Sequence, residues 1–152
     1  MRFLFWFSVI LSGLITITGF VLTNISTFPF HPTGEMYVGG NGNIGLMFVA
    51  FPSLIILYFF FAMLFIFEKI HEHYKVNKKY FLIGYSCIFI TLISISIYRI
   101  VTLHAKIRPY FDYEIGYLNP FSNNLYFNTW TFLACLCISA ICSFFLKNNK
   151  EF

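Results

Sequence analysis

The residue pattern of this chain predicts an all-α membrane protein with four transmembrane helices in a compact bundle. Two observations support this prediction. Hydrophobic residues make up 59% of the chain and charged residues only 11%, whereas soluble domains carry roughly 25% charged residues. The apolar residues are also grouped into four blocks, each close to the roughly 20 helical residues that span a bilayer. We therefore expect residues 1–152 to form one membrane domain.

The four blocks lie at about residues 3–23, 45–67, 80–101 and 130–146. The first is expected to be a retained helix, because its apolar run exceeds the roughly 7–15 residues of a signal peptide. The second contains Pro52, which is expected to kink it near one end. The third has a single charge, Arg99, close to its end. With no charge near the middle of any block, the residues that mark proton relays and ion pathways are missing, which disfavours a proton-coupled carrier.

The distribution of basic residues predicts the orientation of the chain. Positive residues concentrate on the cytoplasmic side of membrane proteins. Seven of the ten lysines and arginines fall on one side of the predicted helices, namely Arg2, Lys69, Lys75, Lys78, Lys79, Lys147 and Lys150. The prediction is a multi-pass protein of the plasma (inner) membrane with both termini and loop 68–79 cytoplasmic. Loops 24–44 and 102–129 then face outward.

Small residues recur at helical spacing in three of the four blocks, on a background of Phe, Ile and Leu. Small side chains let transmembrane helices approach closely, so these stripes are expected to face inward. The stripes are Ser8, Ser12 and Thr16; Gly84, Cys87, Thr91 and Ser94; and Thr131, Cys135, Ser139 and Cys142. The second block has no comparable stripe. It is expected to be the helix most exposed to lipid, or the one that meets a partner.

Residues 40–45, "GNGNIG", match the G-x-G-x-x-G spacing of a dinucleotide-binding loop. That loop functions between a strand and a helix, with an acidic residue about 20 positions later. Here turn-forming residues precede the stretch, a membrane helix follows it, and position 65 is Phe. We interpret it as a turn leading into the second helix at Gly45. Neither a nucleotide nor a nucleic acid is expected as a partner.

Cysteines and histidines do not form a recognisable redox or metal motif. Cys135 and Cys137 project about 200° apart on a helix, and thiols in apolar surroundings are unreactive. The sequence "HEH" at 71–73 is expected to be a solvated interfacial segment, because it lacks further ligands at metal-binding spacing. A haem contact between His31 and His104 is the weaker alternative. No catalytic residue, metal or cofactor is predicted.

Residues 107–130 form the most distinctive outer segment, rich in Tyr, Phe, Asn and Pro. One interpretation is an interfacial belt at the level of the lipid headgroups, where Trp and Tyr are enriched. The other is a recognition surface, because Tyr, Trp and Arg are frequent anchors of interfaces. The candidate surface residues are Arg108, Tyr110, Tyr113, Tyr117, Tyr126 and Trp130.

Three functions are compatible with these features. The favoured one is a non-enzymatic accessory protein of the lipid bilayer, such as an immunity or regulatory protein, that acts on another membrane component through the outer segment or a helix face. Its expected partner is a membrane protein, or a second copy of the chain through self-association. The first alternative is a small solute or ion transport subunit that works as an oligomer, with Ser and Thr stripes around a polar lumen. The second is an intramembrane thiol or haem oxidoreductase.

Overall fold

The computed structural model describes residues 2–30, 43–111 and 116–146, and these residues form helices without any strand. The helices, in chain order, are α1 (Arg2–Ile25), α2 (Ile44–Ala50), α3 (Ser53–His73), α4 (Lys78–Ile107), α5 (Asn123–Tyr126) and α6 (Thr129–Ser143). A single 3-10 turn, Arg108–Tyr110, follows α4.

Four helical segments of this part of the chain are long and apolar enough to cross a membrane. They are Phe3–Ile25, Ser53–His73, Lys78–Tyr110 and Asn123–Ser143. Each overlaps one of the four blocks predicted from the sequence. The prediction of an all-helical chain with four potential membrane spans is therefore confirmed.

The second predicted helix is divided in two, which corrects the expectation of one helix over 45–67. α2 ends at Ala50 and α3 begins at Ser53, with Pro52 between them. Proline has no N–H for the helical ladder, and its ring clashes with the carbonyl four residues earlier. The Pro52 carbonyl instead accepts the first hydrogen bonds of α3, from Ile55 N–H and Ile56 N–H at 2.9 Å each.

Helices α3 and α4 extend beyond the ends of their apolar blocks. α3 continues through the charged segment to His73, and α4 begins at Lys78, so the predicted loop 68–79 shortens to residues 74–77. α4 also runs past position 101 to Ile107. Glu, Lys and Leu are good helix formers, so a helix need not end where its hydrophobic block ends.

The membrane-length helices pack in the spatial order α1, α3, α6, α4. Consecutive long helices are antiparallel, so the chain turns are divided between two ends of the molecule. We call the end that carries residues 20–30, 43–52, 99–111 and 116–130 the loop end. The opposite end carries the α3–α4 turn and the last residues of α6, where Lys78 Nζ donates to the Phe144 carbonyl at 2.8 Å.

α3 occupies an inner position in this order, which contradicts the expectation that the second helix is the most lipid-exposed. It packs against both α1 and α6. Its Phe59 and Ala62 are buried in a cluster with Val9 of α1. A helix thus reaches an inner position through large aromatic side chains, without a small-residue stripe of its own.

On the single chain, the stripe on α1 faces the other helices, and it continues beyond Thr16. Ser12, Thr16 and Thr23 are buried, whereas Ser8 is only partly buried. Gly19 lies on the same face, where the backbone carbonyl of Phe48 in α2 approaches closely. The small residues of α1 therefore allow α2 to pack directly against its backbone.

The stripe on α4 does not face the other helices, which corrects its predicted inward orientation. Gly84, Cys87, Thr91 and Ser94 are all exposed on the single chain, and a Cβ at Gly84 would meet no atom within 4 Å. Leu92 and Ser96 are buried instead, on a face roughly 120–160° around the helix from the centre of the stripe. Because α4 is apolar all round, its periodicity does not indicate which face packs inward.

The predicted stripe on α6 is divided between inside and outside. Ser139 is buried, Thr131 and Cys135 are partly buried, and Cys142 is exposed. The fully buried positions include Ala134 and Ala140, which the stripe did not contain. Ser139 Oγ donates to the Phe60 carbonyl of α3 at 2.9 Å, so this stripe residue joins two helices.

Candidate interaction surface at the loop end

The loop end is built around a buried asparagine. Asn123 is fully buried, and its amide pairs with the amide of Asn43: Asn43 Nδ2 donates to Asn123 Oδ1 at 2.8 Å, and Asn123 Nδ2 donates back to Asn43 Oδ1. Asn43 Oδ1 also accepts from Leu46 N–H and caps α2. This pair therefore joins the start of α2 to α5, 80 residues later in the chain.

Close packing around the asparagine pair requires glycine at position 45. A Cβ on Gly45 would lie 2.6 Å from Asn123 Nδ2. The Gly45 carbonyl accepts from Thr23 Oγ1 of α1 at 2.9 Å. Residues 40–42 of the "GNGNIG" stretch lie outside the described residues, but Asn43 and Gly45 have a structural role, as a helix cap and a close-contact position.

Asn128 holds the short helix α5 against the start of α6. Its Oδ1 accepts from Trp130 N–H at 2.8 Å and from Thr131 N–H at 3.1 Å, and Thr131 completes a capping box. Its Nδ2 donates to the carbonyls of Asn124 and Leu125 at 2.8 and 2.9 Å. One side chain thus satisfies the last carbonyls of one helix and the first amides of the next.

Replacing Asn128 by Ala is expected to lower the free energy of unfolding by about 1.5–2 kcal/mol, the upper part of the range for N-cap residues. Asn77, the N-cap of α4, is a matched control because it accepts a single bond, from Lys79 N–H at 3.1 Å. Asn77→Ala is expected to cost about 0.5–1 kcal/mol. Unfolding of the purified variants in detergent measures both, and equal losses would contradict the joining role of Asn128.

The last turns of α1 and the segment that follows it are attached to the same structure. Phe28 N–H donates to the Pro120 carbonyl at 3.0 Å, and Asn24 Nδ2 donates to the Phe127 carbonyl. The ring of Phe20 packs edge-on against Phe127 at 5.8 Å between centroids. Residues 116–128, predicted as part of an outer loop, are therefore folded against α1, α2 and α4.

Most of the predicted surface residues lie exposed on this folded base. Arg108, Tyr110, Tyr117 and Trp130 are exposed, Tyr126 is partly buried, and Tyr113 lies outside the described residues. Tyr117 stacks on His104 of α4, with 4.0 Å between ring centroids. Tyr110 packs against Phe30 at 5.3 Å. The structure brings these side chains to one end of the molecule. The rings of Tyr117 and Tyr110 each pack against another ring, as given above.

The Ser and Thr hydroxyls of the α1 and α6 stripes donate hydrogen bonds to backbone carbonyls. Ser12 donates to Val9, Thr16 to Ser12 and Ser139 to Phe60. This is the usual way in which hydroxyls are satisfied inside a membrane helix. These residues pack helices together and do not line a polar lumen within the single chain.

The position of His71 also differs from the prediction. It was expected in a solvated segment, but it is 8% exposed. Its ring stacks on Phe144 at 4.0 Å, and Nδ1 lies 3.0 Å from Ser143 Oγ. If residues 68–73 are taken as helical, the sequence predicts this burial, because His71 lies four residues after Phe67 and therefore on the same face of the helix. We find a packing role for His71 between α3 and α6.

No redox or metal centre is formed by the residues that the structure describes. All four cysteines are free, with Cys87 and Cys142 exposed and Cys135 and Cys137 partly buried. No group of three or more His, Cys, Asp or Glu side chains in this part of the chain is placed to hold a metal ion. His31, one half of the predicted haem alternative, lies outside the described residues.

Comparisons of the chain with protein-family models, with characterised proteins and with solved structures find no match.

Proposed function

We propose that this chain is a non-enzymatic multi-pass membrane protein that binds another membrane component and serves it as an accessory, regulatory or immunity partner. The observation that carries the proposal is the folded loop end. Arg108, Tyr110, Tyr117 and Trp130 are exposed on segments that the Asn43–Asn123 pair and Asn128 hold in place. A surface ordered in advance loses little conformational entropy on binding, and Tyr, Trp and Arg are the residues that most often dominate binding energy.

The orientation in this proposal follows from the charge distribution. With Lys69, Lys75, Lys78 and Lys79 on the cytoplasmic side, the loop end faces outward from the plasma membrane and both termini are cytoplasmic. The partner is then a membrane protein with an accessible outer surface. The helices would associate as a compact bundle in the bilayer.

The exposed stripe of α4 offers a second contact surface in the same proposal. Gly84 and Thr91 lie on an open helix face, and small residues are typical of contacts between transmembrane helices. A helix of the partner or a second copy of this chain would fit there. Such self-association is also what the alternative function, an oligomeric transport subunit, requires.

A photo-crosslinking amino acid distinguishes a recognition surface from a headgroup belt. We expect benzoylphenylalanine in place of Tyr117 to form a discrete protein adduct in native membranes, since Tyr117 is exposed and its ring is supported by His104. Tyr80 is the matched control, being an exposed tyrosine at the opposite end. Gel analysis with mass spectrometry identifies the adducts.

Two outcomes would contradict the accessory function. Adducts from position 117 that contain only lipid would assign the loop end to the headgroup belt. An adduct that contains only this chain, together with solute movement in vesicles reconstituted with the purified protein, would favour the oligomeric transport subunit.

A further inference from the structure

A groove of about 430 Å³ lies at the loop end, where α4 meets two other segments. Its volume is within the roughly 300–1,000 Å³ of ligand sites. Phe121 and Leu125 form a buried apolar part of its lining, and the ring of Phe30 packs edge-on against Phe121 at 6.0 Å. The groove is thus assembled from three parts of the chain that only the tertiary fold brings together.

Two cations border this apolar lining. Arg99 and Lys106 both line the groove and are exposed. They are seven residues apart on α4, which places them on one helix face about 10 Å apart along the axis. Neither forms a hydrogen bond or an ion pair with any residue that the structure describes, and no carboxylate of the described residues lines the groove. Within the described part of the chain, these two positive charges therefore have no counter-charge.

Two neutral polar side chains in the lining also lack intramolecular partners within the described segments. The Thr102 hydroxyl makes no hydrogen bond there, and neither does the side-chain amide of Asn124. By contrast, Thr16 and Thr23 each donate to the carbonyl four residues earlier at 2.8 Å. Thr102 and Asn124 are thus available to donate to a ligand.

If α4 spans a bilayer with Lys78 at one boundary, the groove lies at the depth of the lipid headgroups. Arg99 follows Lys78, the first residue of α4, by 21 positions, which is about 32 Å of helix. That length matches the roughly 30 Å hydrocarbon core. With Lys78 at one boundary of the core, Arg99 reaches the other boundary and Lys106 lies among the headgroups.

We propose that this groove binds an anionic phospholipid of the surrounding leaflet. The phosphate lies between Arg99 and Lys106, Thr102 and Asn124 donate to headgroup or ester oxygens, and an acyl chain runs along the apolar lining. A phospholipid has both the negative charge and the apolar chain that this lining matches. The proposal requires insertion in a membrane but no partner protein, so it is independent of the accessory function.

Native mass spectrometry of the full chain in detergent tests the proposal, with phosphatidylglycerol and phosphatidylcholine of identical acyl chains as probes. Phosphatidylglycerol is expected to bind preferentially. The double variant Arg99→Gln/Lys106→Gln is expected to bind phosphatidylglycerol about tenfold more weakly, because it loses the charge-assisted contacts to the phosphate. Lys75→Gln/Lys79→Gln removes two exposed charges at the opposite end and is expected to bind like the unmodified chain.

Thr102→Val is a second variant that is expected to leave the fold intact, because the Thr102 hydroxyl has no partner among the described residues. It is expected to weaken binding by about fivefold, the worth of one neutral hydrogen bond. Melting curves from circular dichroism check that the variants are folded.

Three results would overturn the proposal. The first is equal binding of the two lipids. The second is unchanged phosphatidylglycerol binding in folded R99Q/K106Q or in T102V. The third is displacement of the lipid by inorganic phosphate at millimolar concentration, together with a higher melting temperature when phosphate is added to the lipid-free protein. That result would assign the groove to free phosphate instead.

Discussion

Gly19→Val is expected to lower the free energy of unfolding by about 2–3 kcal/mol, within the range for overpacked sites. A Cβ on Gly19 would lie 2.8 Å from the Phe48 carbonyl oxygen. This oxygen belongs to the backbone of α2, so it does not move aside as a flexible side chain does. The substitution must therefore push α2 away from α1.

Gly84→Val is the matched control for this variant, because it makes the same chemical change in another long helix. No atom lies within 4 Å of a Cβ at Gly84. We expect a change within about 0.5 kcal/mol, the scale of helix propensities. Unfolding of both variants by denaturing detergent, followed by circular dichroism, gives the comparison. Equal stabilities of the two variants would contradict the packing of α2 on α1.

Asn123→Ala is expected to lower the free energy of unfolding by about 2 kcal/mol or more, since it removes a fully buried side chain and both bonds to Asn43. Asn124→Ala is the adjacent control, with an expected change within about 0.5 kcal/mol. The Asn124 side chain forms no hydrogen bond with the residues that the structure describes.

A double-mutant cycle separates the amide pair from the other packing of Asn123. With Asn43→Ala as the second substitution, we expect a coupling energy of about 0.6–1.7 kcal/mol, as found for polar pairs between membrane helices. The same cycle between Asn43 and Asn124 is expected to show no coupling. A zero value for the 43–123 pair would mean that the fold of the loop end does not depend on this pair.

These variants also test the basis of the proposed function. If Asn123 orders the loop end, Asn123→Ala is expected to reduce the crosslinking yield from position 117 along with stability. Crosslinking that survives the loss of stability would indicate that the partner binds residues near Tyr117 without a preformed surface.

The membrane-length helices were predictable because transfer into lipid depends mainly on composition and length. Blocks such as 3–23 and 80–101 carry enough apolar residues for that prediction without any knowledge of their neighbours. The break at Pro52 was also foreseeable as a distortion, since it follows from the missing N–H. The exact ends were less predictable, because α3 and α4 continue as helices beyond their hydrophobic blocks.

The helix faces were only partly predictable. On α1 the small residues of the stripe, with Ser12 and Thr16 among them, lie on the buried side of the helix. On α4 the same kind of pattern led to the wrong face, and Leu92 and Ser96 are buried instead. In lipid an apolar side chain has no hydrophobic reason to turn inward, so the shape of the neighbouring helix decides which face packs.

The loop end likewise has features that were predictable from the sequence and features that only the tertiary structure shows. The segment 107–130 could be singled out from the sequence, because its aromatic and basic residue types are sufficient to distinguish it. The pairing of Asn123 with Asn43, and the groove between Arg99 and Leu125, join positions that are distant in the chain. Composition and local periodicity determine that the chain forms membrane-length helices. Contacts between distant residues, which depend on shape and hydrogen-bond geometry, decide which helix faces meet and where a surface or groove forms.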